Sequence, residues 1–83
     1  MSPEILLKFF ASARESVGQK TMRLEVDEGT NAKDVFEELS RRYPTLESIK
    51  KQVIIAVNKN TGEVEKELED GDEIAFLPPV SGG

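Results

Sequence analysis

The sequence predicts an α+β fold, a mixed sheet with one main helix packed on one face. Three observations favour this class. Apolar and polar residues alternate along residues 4–10, 21–27 and 73–77, which is the period of a half-buried strand. Apolar residues recur at helical spacing along residues 32–42, and residues 52–58 form a nearly continuous apolar run. Strands and a helix in one short chain favour a sheet that buries one face against the helix.

The first strand is predicted at residues 4–10. Its alternation puts Ile5, Leu7 and Phe9 on one face and Leu6, Lys8 and Phe10 on the other. Because Lys8 should face water, Phe10 is expected on the wetter face. Residues 11–18 break the alternation and end in glycine, which indicates a short helical turn or loop that carries Arg14.

A second strand and the main helix follow. Met22, Leu24 and Val26 alternate with polar residues, which favours a hairpin with the first strand. Thr30 or Asn31 offers an N-cap side chain for a helix over residues 32–42. Its predicted apolar face comprises Val35, Phe36, Leu39 and Tyr43. Pro44 ends the helix.

The second half of the chain alternates short elements with turns. Residues 45–51 are expected to form a short helical turn. The apolar run at 52–58 predicts a central strand that is buried on both faces. Residues 63–67 are polar and are predicted to form an edge segment that Leu68 anchors. Residues 70–72, Asp-Gly-Asp, are typical of a turn rather than of a metal site.

In the last predicted strand, residues 73–77, Ile74 and Phe76 share one face while Ala75 and Leu77 share the other. The resulting order is strand, strand, helix, strand, turn, strand. That order suits the β-grasp, or ubiquitin-like, arrangement, in which the first and last strands lie side by side and parallel at the centre. Residues 1–83 are therefore expected to form a single β-grasp domain with a flexible C-terminal tail over residues 78–83.

The composition argues against several classes of protein. The chain has no cysteine and no histidine, so the commonest nucleophile, general base and transition-metal ligands are missing. Its net charge of −5 argues against a nucleic-acid binder. The longest apolar run, residues 53–57, is too short to cross a membrane, and the N-terminus does not resemble a signal peptide. We expect a soluble cytoplasmic protein with no nucleic acid, membrane, metal or bound cofactor as partner.

The chain ends in Pro78-Pro79-Val80-Ser81-Gly82-Gly83. Two prolines favour an extended polyproline II segment, and two glycines make a stalk without side chains. Such a stalk could enter a narrow active site of a second protein and present an unhindered carboxylate. The alternative is an inert, frayed end, since terminal residues are often disordered.

Alternation also predicts a surface beside this tail. If the first and last strands are neighbours, Phe10 and Leu77 both project onto the open face of the sheet, at the base of the tail. An exposed apolar patch on a small protein suggests a docking surface. The alternative is that residues 11–18, or the turn after Asn58, cover these two side chains.

Two segments, KFFASARESVG at residues 8–18 and LEDGDEIAFLPPVSGG at residues 68–83, resemble the small subunits of molybdopterin synthases. The resemblance implies a sulfur carrier that is not catalytic alone. A ubiquitin-E1-like activating enzyme would use ATP to adenylate Gly83, and sulfur would then replace AMP to give a C-terminal thiocarboxylate. The tail would enter the synthase large subunit and donate sulfur to cyclic pyranopterin monophosphate, building molybdopterin.

The resemblance also assigns roles by position. Gly83 is the residue that carries the adenylate and then the thiocarboxylate, and Gly82 lets the tail thread into the partner. The residues expected to bind partners are Phe10, Arg14, Phe76, Leu77, Pro78, Pro79, Val80 and Ser81.

Other functions use the same features. A ubiquitin-like protein modifier would be joined through Gly83 to target lysines, and a thiamin-type sulfur carrier would share the fold and the two glycines. A third alternative is an interaction module whose tail has no chemistry.

Overall fold

A computed structural model describes residues 2–79 of the chain. The strands of its sheet are β1 (Glu4–Phe9), β2 (Thr21–Glu25), β3 (Ile54–Val57) and β4 (Glu73–Leu77). The helices are α1 (Ala11–Val17), α2 (Ala32–Arg42) and α3 (Pro44–Ser48), with 3-10 turns at Lys50–Gln52 and Thr61–Glu63. The predicted order of strands and main helix is confirmed.

The sheet has the order β2-β1-β4-β3. Strands β1 and β4 run parallel at its centre, whereas β2 and β3 pair antiparallel on the outside. This is the mixed sheet of the β-grasp fold, as the element order predicted. Because β1 and β4 point the same way, Phe9 pairs with Phe76 and both strands end at the same edge of the sheet.

The expectation that residues 52–58 form a central strand is wrong, because β3 lies at the edge of the sheet. All four residues of β3 are nevertheless buried or half-buried. Val57 is buried in the core and half-buried Ile55 packs against that core, whereas Ile54 and Ala56 turn to the opposite face. An apolar run therefore arises here at an edge, because both faces of the strand contact apolar neighbours.

The core lies between the sheet and α2. Phe76 stacks against Phe9 from β1 and Phe36 from α2, with ring centroids 5.2 Å and 5.5 Å apart. The other large and fully buried side chains are Ile5, Leu7, Leu39, Leu46 and Ile74. Burying an aromatic side chain of this size stabilises the folded state by about 1.5–3 kcal/mol. The helix is thus fixed to the middle of the sheet.

The start and end of α2 follow from local sequence. Asn31 accepts a hydrogen bond from the Asp34 N–H at 2.8 Å, and the Asp34 carboxylate accepts one from the Asn31 N–H at 3.2 Å, which forms a capping box. Of the two predicted N-caps, Asn31 is the one used. Pro44 ends α2 as predicted and is also the first residue of α3, where its missing N–H is harmless.

The segment that follows β3 differs from the prediction. Residues 63–67 form no strand within the described chain; the segment starts in a 3-10 turn and makes one isolated bridge, between Glu67 and Asn31. The anchor is as predicted, since Leu68 is buried and its N–H donates to the Thr30 carbonyl. The three glutamates of residues 63–67 alternate with one apolar residue, half-buried Val64, and with Lys66, which is too little apolar surface to fix a further strand against the core.

The Asp70-Gly71-Asp72 segment is a turn, as predicted, with Gly71 at φ +88°. The Asp70 carboxylate accepts a hydrogen bond from the Glu4 N–H at 2.8 Å. The Asp72 carboxylate accepts bonds from the Asn58 amide at 3.0 Å and from a backbone N–H at 2.8 Å. Both carboxylates therefore accept hydrogen bonds that hold the turn in place. No helix within residues 2–79 has the length and hydropathy to cross a bilayer.

Candidate functional site

The face of the sheet that α2 does not cover carries a cluster of apolar side chains at one end. We call this cluster the tail-base patch and define it as Phe10, Ile54, Ala75 and Leu77. The pairing explains it, since Ile54 stands opposite Leu77, and residues that face each other across antiparallel strands project on the same side. The patch lies where β1 and β4 both end, directly before Pro78.

Phe10 is the most exposed member of the patch. Its side chain is 43% accessible, which makes it the one large hydrophobic residue classed as exposed among residues 2–79. Its backbone is held from both sides. The Phe10 N–H donates to the Phe76 carbonyl at 3.1 Å, and the Phe10 carbonyl accepts from the Ala13 N–H at 3.1 Å. The exposed ring therefore stands on a fixed strand end, as the alternation predicted.

The chain turns sharply after Phe10. Ala11 has φ +49°, a left-handed conformation that costs an ordinary residue about 1–2 kcal/mol. This turn starts α1 directly at the end of β1 and leads the chain across the end of the sheet to β2. Since α1 begins beyond Phe10, it does not cover the exposed ring, and the alternative that residues 11–18 bury this side chain is wrong.

Leu77 is half-buried and projects onto the open face, as predicted. Ile54 had not been predicted as a site residue. A signal for it exists in the sequence, because Ile54 and Ile55 are consecutive in a strand and must point to opposite faces. With Ile55 against the core, Ile54 has to lie on the face that carries Leu77.

Arg14 is exposed on α1 and lies beside the patch. With Lys8, Lys20 and Phe10 it lines a shallow depression of about 320 Å³. Lys8 also forms an ion pair with Glu73 at 3.3 Å. The exposed aromatic ring is thus bordered by three cationic side chains.

Phe76 does not belong to this face, and the expectation that its side chain contacts a partner is wrong. Its side chain has no accessible surface and stacks between Phe9 and Phe36. The reason is the strand period, since Phe76 lies between Ala75 and Leu77 and must point to the opposite, core side.

Pro78 and Pro79 follow Leu77 and are exposed. Neither can donate a backbone N–H, so the ladder between β3 and β4 stops at the Ile54–Leu77 pair. Val80, Ser81, Gly82 and Gly83, for which the sequence predicts partner contacts, threading and the reactive carboxylate, lie outside the described residues.

The arrangement is suited to binding. An apolar patch on a rigid sheet, bordered by charge, has the composition of a protein–protein docking surface. Glu37, whose pKa is lowered because its carboxylate accepts a hydrogen bond from the Lys50 ammonium, lies on α2, on the other side of the sheet. No group of three acidic side chains within residues 2–79 is placed to hold a metal ion.

Comparison with known proteins gives a consistent result. A family model described as the ThiS family matches residues 7–83. The molybdopterin synthase sulfur carrier subunit of Chlamydomonas reinhardtii is 32% identical over 82 residues, which cover 96% of this chain and 99% of the relative. The small archaeal modifier protein 3 of Haloferax volcanii is 36% identical over 91 aligned positions, covering 96% of this chain and 99% of the relative.

Solved structures agree on the fold. The small archaeal modifier protein 1 of Methanosarcina acetivorans superposes with a TM-score of 0.76 at 31% identity, covering 100% of this chain and 99% of that one. A complex of subunits 1 and 2 of the molybdopterin-converting factor from Helicobacter pylori contains a chain with a TM-score of 0.68 at 22% identity, covering 96% and 99%.

Proposed function

The chain belongs to the ThiS family, and from that membership we propose that it is the sulfur-carrier subunit of a molybdopterin synthase. The observation that carries this proposal is an apolar docking face placed directly at the base of the Pro78-Pro79 segment. A partner that binds the tail-base patch receives the tail at a fixed position and direction. The relative from Chlamydomonas reinhardtii bears this name over nearly the whole length of both chains.

The proposed chemistry takes place at the carboxylate of Gly83. An activating enzyme of the E1 type joins this carboxylate to the α-phosphate of ATP, forming an acyl-adenylate and releasing pyrophosphate. Sulfur from a persulfide donor then attacks the acyl carbon, and AMP leaves with the electrons of the broken C–O bond. After reduction of the remaining S–S bond by a thiol, the product is a C-terminal thiocarboxylate. Gly82, which lacks a Cβ, lets the tail thread into a narrow channel.

The proposed acceptor is cyclic pyranopterin monophosphate, which is bound by the large subunit. Support for that subunit as partner comes from the Helicobacter pylori complex of subunits 1 and 2, which contains a chain of the same fold. The tail-base patch would dock on the large subunit, while Val80 and Ser81 would lie inside the channel that leads to the bound acceptor. This chain would bind no cofactor of its own, with ATP used only by the activating enzyme, and would work in the cytoplasm.

Mass spectrometry of the intact chain tests the proposal. The chain is incubated with the activating enzyme, ATP and a persulfide donor, and we expect one oxygen to be replaced by sulfur at the C-terminal residue. A matched control lacks Gly82 and Gly83 but keeps the described domain. An unchanged mass of the full chain, under conditions where the activating enzyme consumes ATP with another carrier, would sink the proposal.

A second function is favoured by the relatives named small archaeal modifier proteins. In that function Gly83 is joined to the lysine side chains of other proteins, and the chemistry is shared up to the adenylate. Immunoblots of cell lysates separate the two functions. A ladder of high-mass bands that disappears when Gly82 and Gly83 are deleted indicates conjugation, whereas sulfur transfer alone gives only the free chain.

A further inference from the structure

The two ends of β1, one of the two central strands, differ in charge. The chain as a whole has a net charge of −5. At the N-terminal end of β1, Glu4 stands directly opposite Glu25, and the adjoining turn carries Asp70 and Asp72. Arg23 offsets Glu4 through an ion pair at 3.6 Å, and this end of the sheet still carries more acidic than basic side chains.

The other end of β1 carries the opposite charge. Lys8, Arg14 and Lys20 line one shallow depression together with the exposed ring of Phe10. Lys8 is partly neutralised by Glu73 at 3.3 Å.

Arg14 and Lys20 make no ion pair with any residue from 2 to 79. Glu15 neighbours Arg14 in sequence, but consecutive helical residues do not face each other. Among the described residues, these two cations beside the patch therefore have no ion-pair partner, in a chain whose net charge is −5.

The fold brings these cations together from three separate elements. Lys8 comes from the end of β1, Arg14 from α1, and Lys20 from the residue before β2. The crossing of α1 over the end of the sheet holds them near one another, and the N–H of Phe9 donates to the Lys20 carbonyl at 2.8 Å. The cluster is therefore tied to the strand whose end carries Phe10.

We propose that Arg14 and Lys20 steer the tail-base patch onto a partner protein whose apolar pocket is bordered by carboxylates. The proposal rests on the proposed function, because it adds a charge requirement to the docking of the same patch. Opposite charges around an apolar contact raise the rate of association more than they slow dissociation. The acidic end of this chain would be repelled by the same partner, which selects the orientation that presents the tail.

A small anion is the other occupant that such cations could attract. The ring of Phe10 favours a protein instead, because it lines the same depression and is 43% exposed. An exposed aromatic ring adds nothing to the affinity for a phosphate ion, whereas an apolar pocket of a protein would bury the Phe10 ring. The depression is also shallow and open, which suits a surface contact.

The test uses the full chain and the cognate molybdopterin synthase large subunit. Association and dissociation rates are measured by surface plasmon resonance at about 0.05 M and about 0.5 M salt, since screening between exposed charges grows steeply over this range. The variants are Arg14→Glu with Lys20→Glu, and Arg14→Gln with Lys20→Gln as the milder pair. Lys33→Glu is the control matched to the milder pair, because both change the net charge of the chain by the same amount and Lys33 is exposed on α2, on the other side of the sheet.

We expect the charge-reversed pair to lose about tenfold or more in association rate at low salt, with dissociation changed much less. The neutral pair should fall between this variant and the wild type, Lys33→Glu should match the wild type within about twofold, and high salt should remove most of the difference. Melting temperatures of all variants identify any loss of folding. If the charge-reversed variant unfolds, the association rate of the Arg14→Gln, Lys20→Gln variant tests the proposal.

Four outcomes overturn the proposal. Equal association rates for all variants, or an equal loss in Lys33→Glu, would show that the cluster has no steering role while leaving the carrier function intact. Saturable binding of inorganic phosphate at Arg14 and Lys20, seen by NMR titration, would reassign the cluster to a small anion. If the wild-type chain does not bind the large subunit at all, the proposed function itself fails, and this proposal with it.

Discussion

Ile54 lies directly opposite Leu77 at the last pair of the β3–β4 ladder, and both side chains project onto the open face of the sheet. The two residues are half-buried and come from opposite strands, so each covers part of the other. The pair forms the floor of the tail-base patch at the point where the ladder ends and Pro78 begins.

This pairing predicts that Leu77→Asp and Ile54→Asp each weaken binding to the large subunit by about 2 kcal/mol or more, as expected for central interface residues. The free energy of unfolding should fall by about 1 kcal/mol or less, since both side chains already face solvent in part. Calorimetric titration and urea unfolding measure the two effects. Val64→Asp is the control, as a half-buried aliphatic residue outside the patch. A loss of stability above about 3 kcal/mol would place Leu77 or Ile54 in the core.

The two phenylalanines at the end of the central strands should behave in opposite ways. Phe76→Ala is expected to cost about 3–5 kcal/mol of unfolding free energy, because it removes a fully buried ring from between Phe9 and Phe36. Phe10→Ala should cost about 1 kcal/mol or less but impair partner binding. Urea unfolding of both variants checks this. Similar losses of stability in the two variants would contradict the assignment of faces.

The capping box of α2 predicts a smaller effect. Asn31→Ala should destabilise the domain by about 1 kcal/mol, because the Asp34 N–H loses its acceptor. Thr30→Ala is the control, since no hydrogen bond of the Thr30 side chain occurs within residues 2–79. Thermal unfolding of both variants measures the difference. If Thr30→Ala proves the more damaging change, the helix start lies one residue earlier than the structure places it.

The ion pair between Glu37 and Lys50 predicts a pH dependence. The pKa of Glu37 is lowered, chiefly because its carboxylate accepts a hydrogen bond from the Lys50 ammonium at 2.7 Å. A carboxyl whose pKa is lower in the folded state stabilises the fold above its unfolded pKa, and this contribution is lost as pH falls through the folded pKa. Lys50→Met should therefore raise the Glu37 pKa towards its ordinary value. Carboxyl titration by NMR measures it, and an unchanged Glu37 pKa would rule out Lys50 as the cause.

The proposed chemistry predicts that the end of the chain is essential to activation and irrelevant to folding. One alanine added after Gly83 should abolish ATP–pyrophosphate exchange by the activating enzyme, because the carboxylate is displaced from the reacting position. Urea unfolding should be unchanged. The same residue added before Met1 is the control and should leave exchange intact. Full exchange activity in the C-terminal variant would show that Gly83 is not the activated residue.

Much of the fold followed from side-chain periodicity. The alternation in β1 and β4 was sufficient to assign Phe10 and Leu77 to one face and Phe9 to the other, because the strand period is fixed by the backbone. The capping signal at Asn31 and the stop at Pro44 are equally local. These features could be predicted because each depends on neighbours in sequence.

What failed depends on contacts between distant segments. The run at residues 52–58 has the composition of a central strand, but its place at the edge is decided by which strand pairs with β4. Phe76 is a different case, because the strand period alone puts it on the core side, and only the resemblance assigned it to partner binding. Ile54 was missed because a strand assumed to be buried on both faces offers no surface residue. Lys20 became a candidate only when the crossing of α1 placed it beside Phe10.

The position of β4 between β1 and β3 has a mechanical consequence. In the proposed function, a partner that draws in the tail would pull on β4 along the axis of the strand, through Pro78. Because β4 is hydrogen-bonded on both sides, this strand can leave the sheet only by shearing two ladders at the same time. The pulling force is then shared among the hydrogen bonds of both ladders, which would have to break together and not one after another. The domain can therefore remain folded while its end is held under tension inside another protein.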